Sequence, residues 1–232
     1  MFLFVIGHSA GNLQVFLGPE AINHYGKLLR TWPELLWAIR SALLLALVLH
    51  VIFTMWIVIE NRKVRPVKYA KKNSVQTKVS TRLMAITGLL LLGFIIFHLM
   101  HFTTHDVKPE YDGFFDEHGR HDVFRMIVTG FSNPAFSIFY PVSMIMLCSH
   151  LSHGAWSWLQ TVGLRTRSVA GQTTRGAQIL ALVLAIGYIS IPAAVMLGYG
   201  REYRLQRERA GNTAPLTEPP PGPVLPAQPE AQ

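Results

Sequence analysis

Four of the ten histidines in this chain, His8, His50, His98 and His150, fall inside four separate apolar stretches. A charged side chain at the centre of a lipid-embedded helix costs roughly 2.5–3.5 kcal/mol on insertion scales, so an ionisable residue kept there usually serves a function. Imidazole is a good iron ligand, and two imidazoles from facing helices supply both axial ligands of a haem. Four such histidines suffice for two haems. The same residues can also act as hydrogen-bonded packing groups or as a proton relay, and neither role needs iron.

The elements that carry them are membrane spans. Half of the 232 residues are hydrophobic, 15% are charged, and mean hydropathy is positive. Runs of about 20 apolar residues recur, each enough for a hydrocarbon core of about 30 Å. This predicts an all-α integral membrane protein, a five-helix bundle with spans at about 2–18, 34–60, 82–104, 133–160 and 174–200. Pro33 and Pro134 suit helix starts. Pro141 and Pro192 lie inside the fourth and fifth spans, where neighbouring helices can support a kink. No basic region precedes the first apolar run, which also holds His8, Asn12 and Gln14, so it reads as a span and not as a signal peptide. Residues 1–200 form the helical domain. Residues 201–232 form a tail that is Pro-, Ala- and Glu-rich from Gly211 onward, with the composition of a disordered segment.

Charge sets the expected orientation. The net charge is +8, but the basic residues cluster beside apolar spans, which fits membrane topology and not nucleic-acid binding. Residues 61–82 carry Arg62, Lys63, Arg65, Lys68, Lys71, Lys72, Lys78 and Arg82 with no acid. This loop, and the one with Arg165, Arg167 and Arg175, should be cytoplasmic. The acidic loop with Asp106, Glu110, Asp112, Asp116, Glu117 and Asp122 then lies outside. The N-terminus is inside and the C-terminus outside. Arg201, Arg204, Arg207 and Arg209 on the outer side run mildly against this rule. The single cysteine, Cys148, excludes an intrachain disulfide, and without a Cys-x-x-Cys-His motif covalent haem attachment of the c type is not expected.

At about 1.5 Å per residue, the histidines sort by depth. His8 and His98 belong to the outer half, His50 and His150 to the inner half. His101 and His153 each lie three residues from one of these candidates, near the same helix face, and spacing alone does not choose between them. Gly11, Gly93 and Gly154 lie near the candidates. Such small residues let a porphyrin approach, or simply let helices pack closely. Zinc is disfavoured because the spans offer no carboxylate or cysteine cluster at these depths.

These residues stand in a specific context. The first span reads Ile6-Gly7-His8-Ser9-Ala10-Gly11-Asn12. The second carries His50 and ends in Asn61-Arg62-Lys63-Val64-Arg65-Pro66. The third reads Thr87-Gly88 and then Phe97-His98-Leu99. The acidic loop ends in Val123-Phe124-Arg125-Met126. The fourth span reads His150-Leu151-Ser152-His153-Gly154-Ala155-Trp156-Ser157, then Gly163. Over about residues 2–200 the chain resembles the five-helix, dihaem cytochrome b anchor of succinate:quinone oxidoreductases and fumarate reductases. In that family a longer stretch precedes the first span. Here seven residues precede His8, so either the start is late or part of the haem surroundings is supplied differently.

The resemblance implies non-covalent haem b on His8 with His98 (outer) and on His50 with His150 (inner). It implies an outer-haem propionate partner in Arg125, with Arg82, Arg62 and Arg65 as weaker candidates for the inner propionates. It implies a flavoprotein that oxidises succinate and an iron–sulfur subunit as partners, the latter docking on the basic loop. Electrons would run through the inner and outer haems to quinone, with menaquinone suited to the dihaem members. The setting is a bacterial cytoplasmic membrane, and the complex can form a higher oligomer. A quinone near the outer haem needs a donor and a base. His101, Gln14, Asn12, Glu20 and Asn23 are candidates within reach, each also readable as a packing or interfacial residue. His105, Asp106, His118, His121 and Asp122 read as a solvated loop, with a divalent metal site as the lesser reading. Two other classes use the same residues: the cytochrome b of a hydrogenase or nitrate reductase, and a haem-free transporter with a histidine relay. The absence of repeated halves weighs against the transporter.

Overall fold

A computed structural model describes residues 1–64, 79–163 and 170–210. Arg65, Lys68, Lys71, Lys72, Lys78, Arg165, Arg167 and the tail from 211 onward lie outside the described residues, as does the side chain of Arg82. The regular structure described is helical, apart from one isolated antiparallel bridge between Phe115 and His121. The helices are α1 (Phe2–Leu13), α2 (Pro19–Leu29), α3 (Pro33–Lys63), α4 (Val79–Phe102), α5 (Val123–Phe131), α6 (Pro134–Thr161), α7 (Ala170–Met196) and α8 (Arg201–Arg209).

Proline and polar caps place the boundaries. Pro19, Pro33 and Pro134 open α2, α3 and α6, where a missing N–H costs nothing. Asn133 caps α6 by accepting from the Ala135 N–H at 2.9 Å, and Asp122 caps α5 by accepting from the Arg125 N–H at 2.9 Å. Pro141 and Pro192 lie inside continuous helices. Gly200, at φ 75°, turns the chain from α7 into α8. A Cβ there would meet Val128 Cγ2 at 2.5 Å, so both conformation and space require glycine.

Among the described residues, four helices are long and apolar enough to cross a membrane: Pro33–Lys63, Met84–Phe102, Pro134–Thr161 and Gly171–Met196. The protein is therefore an all-α chain of multi-pass membrane character. The first expected span is shorter than predicted. It is the 12-residue α1 followed by a 3₁₀ turn at Gln14–Leu17. α3 buries no residue of its own and exposes Leu35, Trp37, Leu44, Leu45, Ile52 and Trp56. In water such a face is an aggregation hazard, whereas lipid or a partner helix covers it without cost.

The packed core lies at one end of the bundle. There α2, the 103–122 loop, α5 and α8 form a cap over the end of α4, the start of α6 and the end of α7. Val15, Ile22, Phe124, Ile127, Val128, Phe131, Tyr140, Ile191 and Val195 form its apolar cluster. Tyr111, Phe114 and Met126 form a second one beside it. The short α5 is almost wholly buried.

The loop expected to be solvated is folded. Tyr111 and Asp122 are fully buried and Asp116 nearly so. Asn23 organises them. Its amide nitrogen donates to Asp122 at 3.1 Å and to Asp116 at 3.3 Å, and its oxygen accepts from the Phe124 N–H at 3.0 Å. Arg120 bridges Asp116 at 2.7 Å and Glu20 at 2.5–2.7 Å. The reason is elementary: buried carboxylates must be paired, and a loop holding this many acids can bury them only if cations and amides reach in.

The helical domain extends beyond the expected boundary at 200. α8 docks through Tyr203, whose hydroxyl donates to Asp122 at 2.9 Å and whose ring meets Phe124 at 5.1 Å. Arg207 comes within 3.8 Å of Asp122, and Arg204 pairs with Glu208 at 3.2 Å. Two of the arginines that ran against the charge rule thus belong to local ion pairs of the cap.

Candidate functional site

His8 sits on α1, His98 on α4, His50 on α3 and His150 on α6. The fold brings them together in two pairs. The ring centroids of His8 and His98 are 5.8 Å apart at an interplanar angle of 74°. Those of His50 and His150 are 6.3 Å apart at 82°. These are the two pairs that depth alone selects.

The spacing can be tested against a bound metal. An imidazole nitrogen bonds a first-row metal at about 2.0–2.1 Å; two such bonds in line, plus about 1.1 Å from nitrogen to ring centre on each side, separate the centroids by roughly 6–6.5 Å. Both pairs fall near this value. The donor set, two imidazoles in each pair, suits haem iron, and among the described residues no third metal-binding side chain joins either pair as a closed tetrahedral zinc site would need. Among the described residues no group of three His, Cys, Asp or Glu side chains converges to hold a metal ion.

Where an imidazole binds iron, the hydrogen bond at its other nitrogen sets the tautomer. His150 Nδ1 lies 3.3 Å from Thr87 Oγ1. His98 Nδ1 lies 3.4 Å from the Tyr140 hydroxyl. Both contacts engage Nδ1 and not Nε2. His8 differs, since Asn12 Nδ2 lies 3.2 Å from its Nε2. Ligation through that nitrogen requires Asn12 to release it.

The surroundings of the two pairs are unequal. His8 stacks on Phe4 at 5.3 Å and has Tyr188 at 6.0 Å. His98 lies against Phe94 at 5.8 Å, Phe102 at 5.9 Å and Tyr140 at 6.0 Å. His50 is exposed on α3. His150 packs against Gly88, where a Cβ would come within 3.3 Å of its ring. The Thr87-Gly88 step thus has a physical role: a hydroxyl for the ring nitrogen and no side chain in the ring's way.

The neighbouring histidines separate from the pairs. His101 is fully buried, with Nδ1 3.0 Å from the Tyr140 hydroxyl and Nε2 3.1 Å from the Tyr111 hydroxyl. His153 Nε2 lies 3.3 Å from Ser157 Oγ. Gln14 is half-buried in the 3₁₀ turn after α1. Glu20 and Asn23 belong to the cap network, where hydrogen bonding to Arg120 holds the exposed Glu20 carboxyl down at about 2. Arg125 is buried on α5, with its guanidinium 4.1 Å over the Phe114 ring. Of the glycines near the candidates, Gly11 has no room for a side chain because Tyr25 occupies it, whereas Gly93 and Gly154 face open space.

In the loop, His105 adopts φ 61° and lies 2.6 Å from Asp112. His121 stacks on His105 at 5.7 Å. Burial, reinforced by the charge of Arg30, lowers the His121 imidazole to about 4. Reading the sequence alone passed over Tyr140 and Tyr111. The signal was there for Tyr140, because a hydroxyl inside an apolar helix needs a polar partner in the bundle.

No protein-family model, curated protein or solved structure matches the chain, so any family assignment rests on its own residues.

Proposed function

We propose that this chain is the dihaem cytochrome b membrane anchor of a succinate:quinone oxidoreductase. The observation that carries this reading is the meeting of four histidines from four helices as two ring pairs, at 5.8 Å and 6.3 Å. His8 and His98 would hold one haem b, His50 and His150 the other. Bound there, the haems supply one-electron transfer at two depths, as a route between a soluble iron–sulfur partner and (mena)quinone requires.

The protein's own residues orient the ligands and exclude water. Thr87 and Tyr140 engage the Nδ1 atoms of His150 and His98. Phe4, Phe94 and Phe102 wall the first pair. In this reading α1 serves as a fifth span, the cap lies outside and the basic 61–82 loop lies inside a bacterial cytoplasmic membrane. That loop faces the iron–sulfur subunit, with the flavoprotein beyond it. Arg125 and Arg82 are the proposed propionate partners, and the quinone lies toward the capped end.

Haem content by pyridine haemochrome, followed by a redox titration, tests the reading. The expected result is two haems b per chain titrating as two components, with co-purified flavoprotein and iron–sulfur subunits supporting succinate oxidation. Haem without succinate activity points to a cytochrome b of another oxidoreductase. Intact protein without haem overturns the reading.

A further inference from the structure

A file of buried polar groups leads away from His98. Its Nδ1 is 3.4 Å from the Tyr140 hydroxyl, that hydroxyl is 3.0 Å from His101 Nδ1, and His101 Nε2 is 3.1 Å from the Tyr111 hydroxyl. Three elements supply it: α4 gives His98 and His101, α6 gives Tyr140, and the cap gives Tyr111. His101 and Tyr111 are fully buried and Tyr140 is 7% exposed. Packing leaves no slack, since a Cβ on Gly130 would meet the Tyr111 hydroxyl at 2.9 Å and His101 Cε1 at 3.2 Å. Burying two phenols and an imidazole side by side is costly unless each bond is made, so the file is an ordered unit.

If the Tyr140 hydroxyl both accepts and donates within the file, the bonds run in one of two senses, because a neutral imidazole has one N–H and one lone pair. If His98 presents the Nε2 lone pair, its proton sits on Nδ1 and donates to Tyr140. Tyr140 then donates to His101 Nδ1, which places the His101 proton on Nε2, where it donates to Tyr111. In the opposite sense Tyr111 donates to His101, His101 to Tyr140 and Tyr140 to His98 Nδ1. His98 then carries its proton on Nε2 and has no lone pair there for iron.

We propose that Tyr140, His101 and Tyr111 are positioning residues that hold His98 in its ligating tautomer and tune the haem bound by His8 and His98. This rests on the haem reading above. A hydrogen bond donated from Nδ1 makes the imidazole more electron-rich, which favours ferric iron and lowers the potential. In the first sense the file holds the ligating tautomer and sets the capped-end potential below that of an unsupported imidazole. The inner pair has a single Thr87 contact at His150 Nδ1 in the same role, so the two sites differ in how far their ligands are tied into the protein.

The test compares the purified complex with its Tyr140→Phe and His101→Leu variants by haem content, redox titration and low-temperature EPR of the ferric form. Tyr140→Phe keeps the ring against Phe131 and Phe94 and removes only the hydroxyl. The expected result is a higher midpoint potential and altered g-values for one haem component, the one that His98→Ala removes, with the other component unmoved. His101→Gln, which keeps a donor and an acceptor, should restore part of what His101→Leu loses. Full haem content with both components unmoved in Tyr140→Phe and His101→Leu overturns the proposal while leaving the haem reading intact. A wild-type complex with no haem overturns both. If Tyr140→Phe does not fold, Tyr111→Phe repeats the test from the far end: a shift confined to the same component supports the file, and no shift overturns it.

Discussion

His8 and His98 meet among Phe4, Phe94, Phe102, Tyr140 and Tyr188, beneath a folded cap. His50 and His150 meet where α3, a helix that buries no residue of its own, passes α6. One site draws its walls from its own chain, and the other leaves a flank to lipid or to a partner. The same residue type at nearly the same spacing thus sits in two environments. A haem site needs exclusion of water and fixed ligand tautomers as much as it needs two nitrogens. The capped pair has aromatic walls within this chain and a hydroxyl at the His98 Nδ1. The open pair has Thr87 and Gly88 on one side.

The sharpest way to break the comparison is to remove one ligand from each pair. His98→Ala and His50→Ala should each leave one haem per chain, and the component lost should differ between them. Loss of the same component in both would dissolve the two-site picture.

Asn23→Ala comes next. It leaves two buried carboxylates and a backbone N–H short of a partner, at about 1–3 kcal/mol for each unsatisfied group. The melting transition should fall, and the capped component should shift or broaden while the open one does not. Gly200→Ala strains a positive-φ turn and drives a methyl group into Val128. It should cost about 1–3 kcal/mol by overpacking, read as a lower thermal midpoint.

Thr87→Val removes the hydroxyl beside His150. Loss of such a supporting contact typically weakens metal binding 10- to 100-fold. Haem retention during dilution should therefore drop in the open component alone.

The smallest effect concerns pH. In the folded state His121 titrates near 4 instead of 6.5, because its burial disfavours the charged form. Between those values the unfolded chain binds the extra proton, so stability present above pH 6.5 is lost as pH falls toward 4. Glu20, at about 2 in the folded state against 4.5, adds a loss in the same direction below pH 4.5. His121→Asn should flatten the thermal midpoint between pH 6.5 and 4. An unchanged slope would remove His121 as its cause.

Much of this was written in local pattern. Among the described residues the long apolar runs give four helices apolar enough to cross a membrane, because their hydrophobicity is continuous and needs no tertiary context. Pro33 and Pro134 mark helix starts because a missing N–H is tolerated only there. The pairing of His8 with His98 and His50 with His150 was legible from depth, since rise per residue converts position into height along a helix.

Other features were decided by contacts between elements far apart in sequence. The cap is the clearest case: Asn23 reaches Asp116 and Asp122 across about a hundred residues, and acids that look solvated in the sequence become buried and paired. α8 looked like the start of a tail because its residues are polar, and it is held by Tyr203 and Arg207 on Asp122. Spacing left His98 and His101 equivalent on one helix face. Side-chain packing separated them: His98 turns to His8, and His101 is locked between two tyrosines from α6 and the cap. Composition and length mark the helices apolar enough to cross a membrane, because transfer from water to lipid is a property of each segment by itself. Which nitrogen faces which partner depends on where other helices deliver a hydroxyl or a ring, and only the assembled tertiary structure contains that.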